Sequence, residues 1–344
     1  MRVSTHQGGD RLFQLRHSRF HQKQRSPLPR LATNVAICIF FACLTGCTSS
    51  NIGEDPNNNG KPAVVTTNTI LTDLTAELAG DEINLTGILD PGADPHTYEP
   101  VPADSKALEK SELILYNGYN LEPGLVKMIN ATGVNAQKLA VGEAIEPLDM
   151  DYEGQKVPDP HVWGDVENAI QMVNAIRDAL IELSPEDKDL FTENASQLTA
   201  TFNDLDTWIA QQMATIPPEQ QKLVTTHDAF QYYAAAYGLE VTGTLIGIST
   251  EEKPSAQTIT FLVETIKKTE VPAIFAETTI NPTLIKTVAE EAGVNLAPHE
   301  LYSDSIGAPG SEGDSYINMM VSNTRTIVEA LGGTYQPFEP KASN

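Results

Sequence analysis

The chain has 344 residues, and its 46 acidic side chains outnumber 22 basic ones, which gives a formal net charge of −24. Such an acidic surface repels the phosphates of nucleic acids and anionic lipid head groups, which argues against a nucleic-acid-binding role. The length exceeds what one small hydrophobic core usually holds, so two lobes are expected.

Residues 1–46 have the pattern of a secretory signal. Seven basic side chains lie between Arg2 and Arg30, and an apolar run follows at 35–44, too short to span a membrane as a mature helix. The run ends in Leu-Thr-Gly before Cys47, which resembles the lipobox of bacterial lipoproteins. We therefore predict a lipoprotein signal at 1–46 and lipidation at Cys47; the alternative is a plain signal peptide with an incidental cysteine.

Beyond Cys47 the chain contains no cysteine, so it has no internal disulfide and no thiolate ligand. Residues 48–62 are polar and rich in Asn and Gly, which predicts a flexible tether over 47–62. Because seven bases but one acid precede Cys47, the remainder carries 15 basic and 45 acidic side chains, a net charge of −30. That charge raises the local concentration of cations.

Short apolar segments separated by turns predict strands in the first half, with a helix over 70–78. The predicted strands cover 64–67, 83–86, 113–116 and 138–141. Alternation of strands and helices favours parallel sheets covered by helices.

Two long amphipathic helices are predicted in the middle of the chain. Asp165 has the place of an N-cap for the first, whose apolar residues recur at helical spacing as far as Leu183. The second starts at Ser184 and ends near Pro217. It spans about 30 residues, or roughly 45 Å, so it could join two lobes as a rigid connector.

The second half repeats the α/β pattern. Its predicted strands cover 222–226, 241–246 and 272–276. Its predicted helices cover 229–237, 258–269, 284–292 and 316–331.

Three of the four histidines beyond Cys47 lie in marked contexts: Asp-Pro-His96, Asp-Pro-His161 and Thr-His227-Asp, about 65 residues apart. A lone histidine is more often a loop or core residue, and His299 is interpreted in that way. Three in such contexts indicate ligands that meet only in the folded protein. His227 follows a predicted strand, and open α/β sheets bind ligands beyond the carboxyl ends of their strands. A site that uses all three must lie between the lobes.

Three imidazoles usually need a fourth donor to complete a metal site. Asp304, which follows a strand-like segment, is the preferred candidate, and Glu277 at the end of a predicted strand is the alternative. Asp94 and Asp159 precede the two Pro-His pairs and are predicted to hold the histidines by accepting a ring N–H.

Seven motifs give the chain its resemblance to a known family, the substrate-binding proteins of ATP-binding-cassette (ABC) importers for manganese, zinc or iron. The resemblance covers residues 63–333. Its motifs are Gly92–Pro100, Leu115–Gly118 followed by Leu121-Glu122, Asp159–Trp163, Thr226–Phe230, Glu277–Thr279, Leu301–Asp304 and Gly313–Met320.

The resemblance implies an α/β fold of two Rossmann-like lobes with mainly parallel sheets, joined by one long rigid helix, with the metal in the cleft between them. The predicted boundaries are an N-terminal lobe at 63–184, a linking helix at 185–216, a C-terminal lobe at 217–335 and a tail at 336–344. The family's ligand positions fall on His96, His161, His227 and Asp304, the same set that the spacing indicates.

The implied function is capture of one divalent ion outside the cytoplasm and delivery to a permease driven by an ATPase subunit. The protein would be a monomer and not an enzyme. It would be anchored to the membrane through lipidated Cys47 and face the periplasm or the cell exterior. The rival hypotheses are a metal-dependent hydrolase, with Glu277 as its base, and an adhesin.

Manganese is the favoured ion and zinc is the alternative. A His-rich loop, frequent in zinc-specific relatives, is absent, and the segment Thr278–Pro282 resembles manganese-type members. Against this, many manganese-type members have Glu where this chain has His227. Three His and one Asp suit zinc. If Asp304 binds through both oxygens, the larger shell favours manganese.

Overall fold

The computed structural model describes residues 60–133, 135–152 and 154–341. The predicted signal, Cys47 and nearly all of the predicted tether lie outside these residues. The described residues belong to one compact unit. Among them, no helix is both long enough and apolar enough to cross a membrane.

The first half is built on a four-stranded parallel sheet. Its strands are β1 (Ala63–Thr66), β2 (Asn84–Gly87), β3 (Leu113–Tyr116) and β4 (Gln137–Ala140). Their order is β2-β1-β3-β4, with Val64 of β1 opposite both Leu85 and Leu113. The two central strands are mostly buried, so their near-continuous apolar sequences are those of strands covered on both faces.

Three helices accompany this sheet: α1 (Thr69–Ala79), α2 (Pro102–Lys110) and α3 (Pro123–Thr132). The side chain of Asn68 caps α1 by accepting the N–H of Leu71 at 2.9 Å. The sequence predicted α1 and the four strands within a residue or two. Helices α2 and α3 were not predicted from the sequence. In α2 only Asp104 and Leu108 are buried, so no apolar stripe marks this helix in the sequence.

A hairpin of β5 (Asp149–Tyr152) and β6 (Gln155–Pro158) precedes the two long helices, α4 (Val166–Leu183) and α5 (Lys188–Met213). Asp165 caps α4 as predicted, accepting the N–H of Glu167 at 2.8 Å. The second helix starts later than predicted because residues 185–187 form a 3₁₀ turn. Ser184 donates to the Asp187 carboxylate at 2.6 Å there.

The second half contains two parallel strand pairs. These are β7 (Lys222–Thr225) with β8 (Glu240–Thr244), and β9 (Ala273–Ile274) with β10 (Asn295–Leu296). The N–H of Phe275 donates to the carbonyl of Val224 at 2.9 Å and so joins the two pairs. The helices are α6 (Gln231–Tyr237), α7 (Ala256–Thr269), α8 (Thr283–Ala292) and α9 (Tyr316–Ala330), close to their predicted ranges.

One large apolar cluster includes residues of both halves. It contains Leu74 of α1, Phe202 of α5 and Leu223 of β7, all fully buried. Phe202 also packs on Tyr316 of α9, with ring centroids 5.0 Å apart. This shared core links the parts of the chain that carry the predicted ligands.

The C-terminal strap, residues 333–341, packs along α5. The indole N–H of Trp208 donates to the carbonyl of Gln336 at 3.0 Å. The Trp208 ring also contacts Tyr335 and Phe338, at centroid distances of 5.9 and 5.4 Å. The strap therefore covers one side of the longest helix.

We expect that deleting residues 334–344 lowers the free energy of unfolding by about 2 kcal/mol, because two half-buried aromatic side chains are lost from Trp208. Urea denaturation followed by tryptophan fluorescence measures the change. Glu339→Ala, at an exposed residue of the strap, is the control and should leave the midpoint unchanged. Equal midpoints for the deletion and the control would contradict the proposed contribution of the strap.

Candidate metal centre

The structure brings together all four predicted ligand residues. His96 lies in the loop after β2, and His161 lies between β6 and α4. His227 lies two residues after the end of β7. Asp304 lies three residues after Leu301, which forms an isolated parallel β-bridge with Glu277. One nitrogen or oxygen atom from each of the four ligand residues lies within 4.8 Å of the other three. Residues that follow strands of both halves thus meet at one point: His161 follows β6 of the antiparallel hairpin, and His227 follows the parallel strand β7.

The ring nitrogens of the three histidines face one carboxylate. The Nε2 atom of His161 lies 3.4 Å from Oδ1 of Asp304, and Nε2 of His227 lies 3.2 Å from Oδ2. The Nε2 atom of His96 lies 3.2 Å from Nε2 of His161 and 4.0 Å from Oδ2 of Asp304. Three imidazole nitrogens and a carboxylate in this arrangement form a donor set suited to a transition-metal ion.

Burial leaves several of these atoms without a hydrogen bond. All four side chains are at most 3% exposed. Both oxygens of Asp304 and the Nε2 atom of His227 are buried and make no hydrogen bond of normal geometry. Such orphaned atoms are costly in a protein interior unless a further group satisfies them. The residues present therefore fit a bound cation.

Two buried carboxylates orient two of the imidazoles. Asp159 lies 2.7 Å from Nδ1 of His161 and also accepts its backbone N–H at 3.0 Å. Glu277 lies 2.5 Å from Nδ1 of His227 and accepts its backbone N–H at 2.8 Å. A proton held on Nδ1 by a carboxylate leaves the Nε2 lone pair free for a metal. Both oxygens of Glu277 are engaged in this way, which places Glu277 behind His227, on the side of the ring away from Asp304.

The prediction that Asp94 holds the ring of His96 is wrong. Its Oδ1 atom accepts the backbone N–H of His96 at 2.9 Å. Its Oδ2 atom accepts from Thr97 at 3.1 Å and from Thr250 at 2.6 Å. An Asp side chain readily accepts the N–H two residues on, so this turn forms without any ring contact.

Burial and neighbouring charges shift the pKa values of these side chains in opposite directions. Burial lowers the pKa of His96 to about 3. Burial also disfavours charge on His161, but the carboxylates of Asp159 and Asp304 outweigh it and raise the pKa of His161 to about 9. Glu277 and Asp304 likewise raise the pKa of His227 well above its usual value. Burial alone would raise the pKa of Asp304, but the imidazoles of His227 and His161 outweigh it and hold that pKa well below its usual value.

Asn117 and Glu122 were not predicted to support the site, although both belong to a motif of the resemblance. Asn117 Nδ2 donates to the carbonyl of Pro160, next to His161, at 2.9 Å. Glu122 is fully buried and accepts the Asn117 N–H and the Thr67 hydroxyl at 2.7 Å each. Burial raises the pKa of Glu122 to about 7. The sequence signal that could have identified Glu122 is its place shortly after a buried strand and directly before Pro123, which starts α3.

A cleft of about 510 Å³ leads to one side of the centre. His96 is the member of the ligand group that lines it. The first half of the fold contributes Tyr119, Glu143 and Pro160 to its walls, and the loop after β8 contributes Ile248, Ser249 and Glu251. The site is therefore buried but adjoins a partly acidic opening.

Comparisons with known proteins agree on one family. Residues 64–330 match the family described as zinc-uptake complex component A, periplasmic. The chain is 36% identical to the metal ABC transporter substrate-binding lipoprotein FimA of Streptococcus parasanguinis, over 86% of this chain and 97% of FimA. It is 32% identical to the manganese-binding lipoprotein MntA of Halalkalibacterium halodurans, over 88% and 99% of the two chains.

A solved structure with the same fold is the periplasmic zinc-binding protein TroA from Treponema pallidum. It superposes with a TM-score of 0.75 at 33% identity and covers 79% of this chain and 99% of TroA. The predicted two-lobed α/β fold with mainly parallel sheets is confirmed. The exact lobe boundaries and the linking role of α5 stay predictions. The chain belongs to the family of metal-binding, substrate-binding proteins of ABC transporters.

Proposed function

We propose that the protein binds one divalent metal ion outside the cytoplasm and delivers it to the permease of an ABC importer. The observation that carries this function is the buried group of His96, His161, His227 and Asp304, whose donor atoms lie within 4.8 Å of one another. Its relatives include proteins named as metal, manganese or zinc binders. The four side chains are the proposed ligands.

The site chemistry favours binding over catalysis. Three imidazoles and one carboxylate supply four protein ligands, whereas catalytic zinc sites have three and keep a further position for water or substrate. Glu277, the candidate base of a hydrolase, is engaged with His227 through both oxygens. The family consists of substrate-binding proteins of transporters, so the chain is not an enzyme.

Manganese is the proposed cargo, with zinc as its competitor. Several relatives carry manganese in their names, among them PsaA of Streptococcus pneumoniae at 34% identity. Each oxygen of Asp304 faces a different imidazole nitrogen, which suits binding through both oxygens and a shell larger than four. A larger shell with more oxygen favours manganese, whereas zinc has the higher intrinsic affinity for imidazole-rich sites.

The proposed assembly follows from the family. The relatives FimA and MntA are named lipoproteins, which supports Cys47 as the lipid anchor of this chain. The partners are a permease and its ATPase subunit, and the protein acts as a monomer on the outer side of the membrane. The polar segment 47–62 tethers the lobes within reach of the permease.

His161→Ala tests the proposed ligands. We expect residues 48–344, purified without chelator, to hold one equivalent of manganese or zinc by elemental analysis, and His161→Ala to lose at least about a hundredfold in affinity, roughly 2.7 kcal/mol. His299→Ala is the matched control, since His299 is exposed and outside the group. A loss below about tenfold would contradict the assignment. Absence of metal binding by the parent at micromolar concentration would overturn the function and favour an interaction protein.

His227→Glu tests the choice of metal. Replacing an imidazole by a carboxylate should lower the zinc-over-manganese preference by about tenfold, because oxygen ligands suit manganese better. Competition calorimetry with both ions gives the ratio. His227→Gln is the control for loss of the imidazole alone. An unchanged ratio in His227→Glu would show that shell geometry, and not ligand type, sets selectivity.

Proton release tests the charges of the centre. A proton on His161 must leave before its Nε2 can bind a metal, and a pKa of about 9 keeps that proton in place at neutral pH. Zinc binding at pH 7 should therefore release at least one proton, and affinity should keep rising as pH increases towards 9. Calorimetry in two buffers of different ionisation enthalpy counts the protons. Binding without proton release would show that the metal-free centre is not protonated.

A further inference from the structure

The three proposed histidine ligands are held unequally. His161 and His227 each have a buried carboxylate on Nδ1, at 2.7 and 2.5 Å. Within the described residues, Nδ1 of His96 makes no hydrogen bond. His96 is held through its backbone N–H, which donates to Asp94. The position of its ring therefore depends on the position of its loop.

Two hydrogen bonds tie the His96 loop to the half of the fold built on β7–β10. The N–H of Gly92 donates to the hydroxyl of Ser305, next to Asp304, at 2.7 Å. The hydroxyl of Thr250, in the loop after β8, donates to Oδ2 of Asp94 at 2.6 Å. Asp94 thus accepts the backbone N–H of His96 with Oδ1 and the hydroxyl of Thr250, from the opposite half of the fold, with Oδ2.

The cleft of about 510 Å³ reaches the centre at this loop. Ser249 and Glu251, the neighbours of Thr250 on either side, line the cleft together with His96. Thr250 and Asp94 are both partly buried, and neither belongs to the ligand group. A change in the Thr250–Asp94 contact would therefore alter the cleft wall and the His96 loop together.

We propose that the Asp94–Thr250 hydrogen bond is a latch that sets the rate of metal release. When it opens, the His96 loop moves away from Asp304 and the ion leaves through the cleft. His161 and His227 stay in place on Asp159 and Glu277. Asp94 and Thr250 are positioning residues, and the inference rests on the proposed metal-binding function.

The test compares Thr250→Val, which removes the hydroxyl at nearly constant shape, with Thr250→Ser, which keeps it. Each is made in the chain from residue 48 onward, which contains every described residue. Release of zinc into excess chelating dye is followed by stopped flow. We expect release from Thr250→Val to be about tenfold faster than from the parent, because the variant loses a hydrogen bond to the Asp94 carboxylate. Zinc association should change by less than about twofold.

The control variants separate a latch from a general loosening. Thr250→Ser should release zinc at the parental rate. Thr260→Val, at an exposed threonine of α7, should also leave release unchanged. The thermal midpoint of the metal-free Thr250→Val protein should fall by no more than the loss of one hydrogen bond explains, because the latch acts on the loop and not on the core.

Each contrary outcome has a distinct meaning. Parental release from Thr250→Val overturns the latch, and so does equal acceleration in Thr250→Ser, which would point to packing. Faster release together with a fall of the metal-free midpoint larger than one lost hydrogen bond explains also overturns it, because the whole fold is then loosened. Failure of the parent to bind zinc overturns the proposed function itself, which the same titration detects before any release is measured.

Discussion

The carboxylate of Asp304 is the group on which the rest of the centre depends. It is 1% exposed, and its two oxygens face imidazole nitrogens of His161 and His227 at 3.4 and 3.2 Å. A buried carboxylate is strongly unfavourable unless positive charge or hydrogen bonds compensate it. In the metal-free centre the imidazoles of His161 and His227, whose pKa values the buried carboxylates raise, provide that compensation. A divalent cation supplies positive charge directly and displaces protons from the imidazoles. Binding of the ion therefore also balances the charge of the buried Asp304 carboxylate.

The fold positions this carboxylate and its partners from both halves of the chain. His227 extends from the carboxyl end of β7, and Asp159 and Glu277 fix the rings of His161 and His227. A core that includes α1, α5 and α9 continues between the halves. Rigid support is strongest at the two fully buried histidines and weakest at His96, which lines the cleft. This asymmetry is what a binding protein needs if it must hold its ion and later surrender it.

The sequence predicted that His96, His161 and His227 meet, because histidines far apart along the chain, with repeated flanks, are typical of ligands that come together only after folding. It predicted most strands and long helices because buried strands are continuously apolar and long helices show an apolar stripe. It missed α2, which has two buried residues, and the β5–β6 hairpin, which is polar. Identical Asp-Pro-His motifs suggested identical roles. Asp159, however, contacts the ring nitrogen Nδ1 of His161, whereas Asp94 accepts the backbone N–H of His96. The ring of His227 meets Glu277, 50 residues away along the chain, and no local pattern encodes that pairing.

X-ray absorption spectroscopy at the metal edge tests the central claim most directly. Residues 48–344 would be loaded with one equivalent of manganese or zinc and measured in solution. The structure predicts three imidazole nitrogens and one carboxylate around the ion, with one imidazole fewer in His161→Ala. A shell of oxygens without imidazole scattering, unchanged by that substitution, would show that the ion binds elsewhere and would contradict the account.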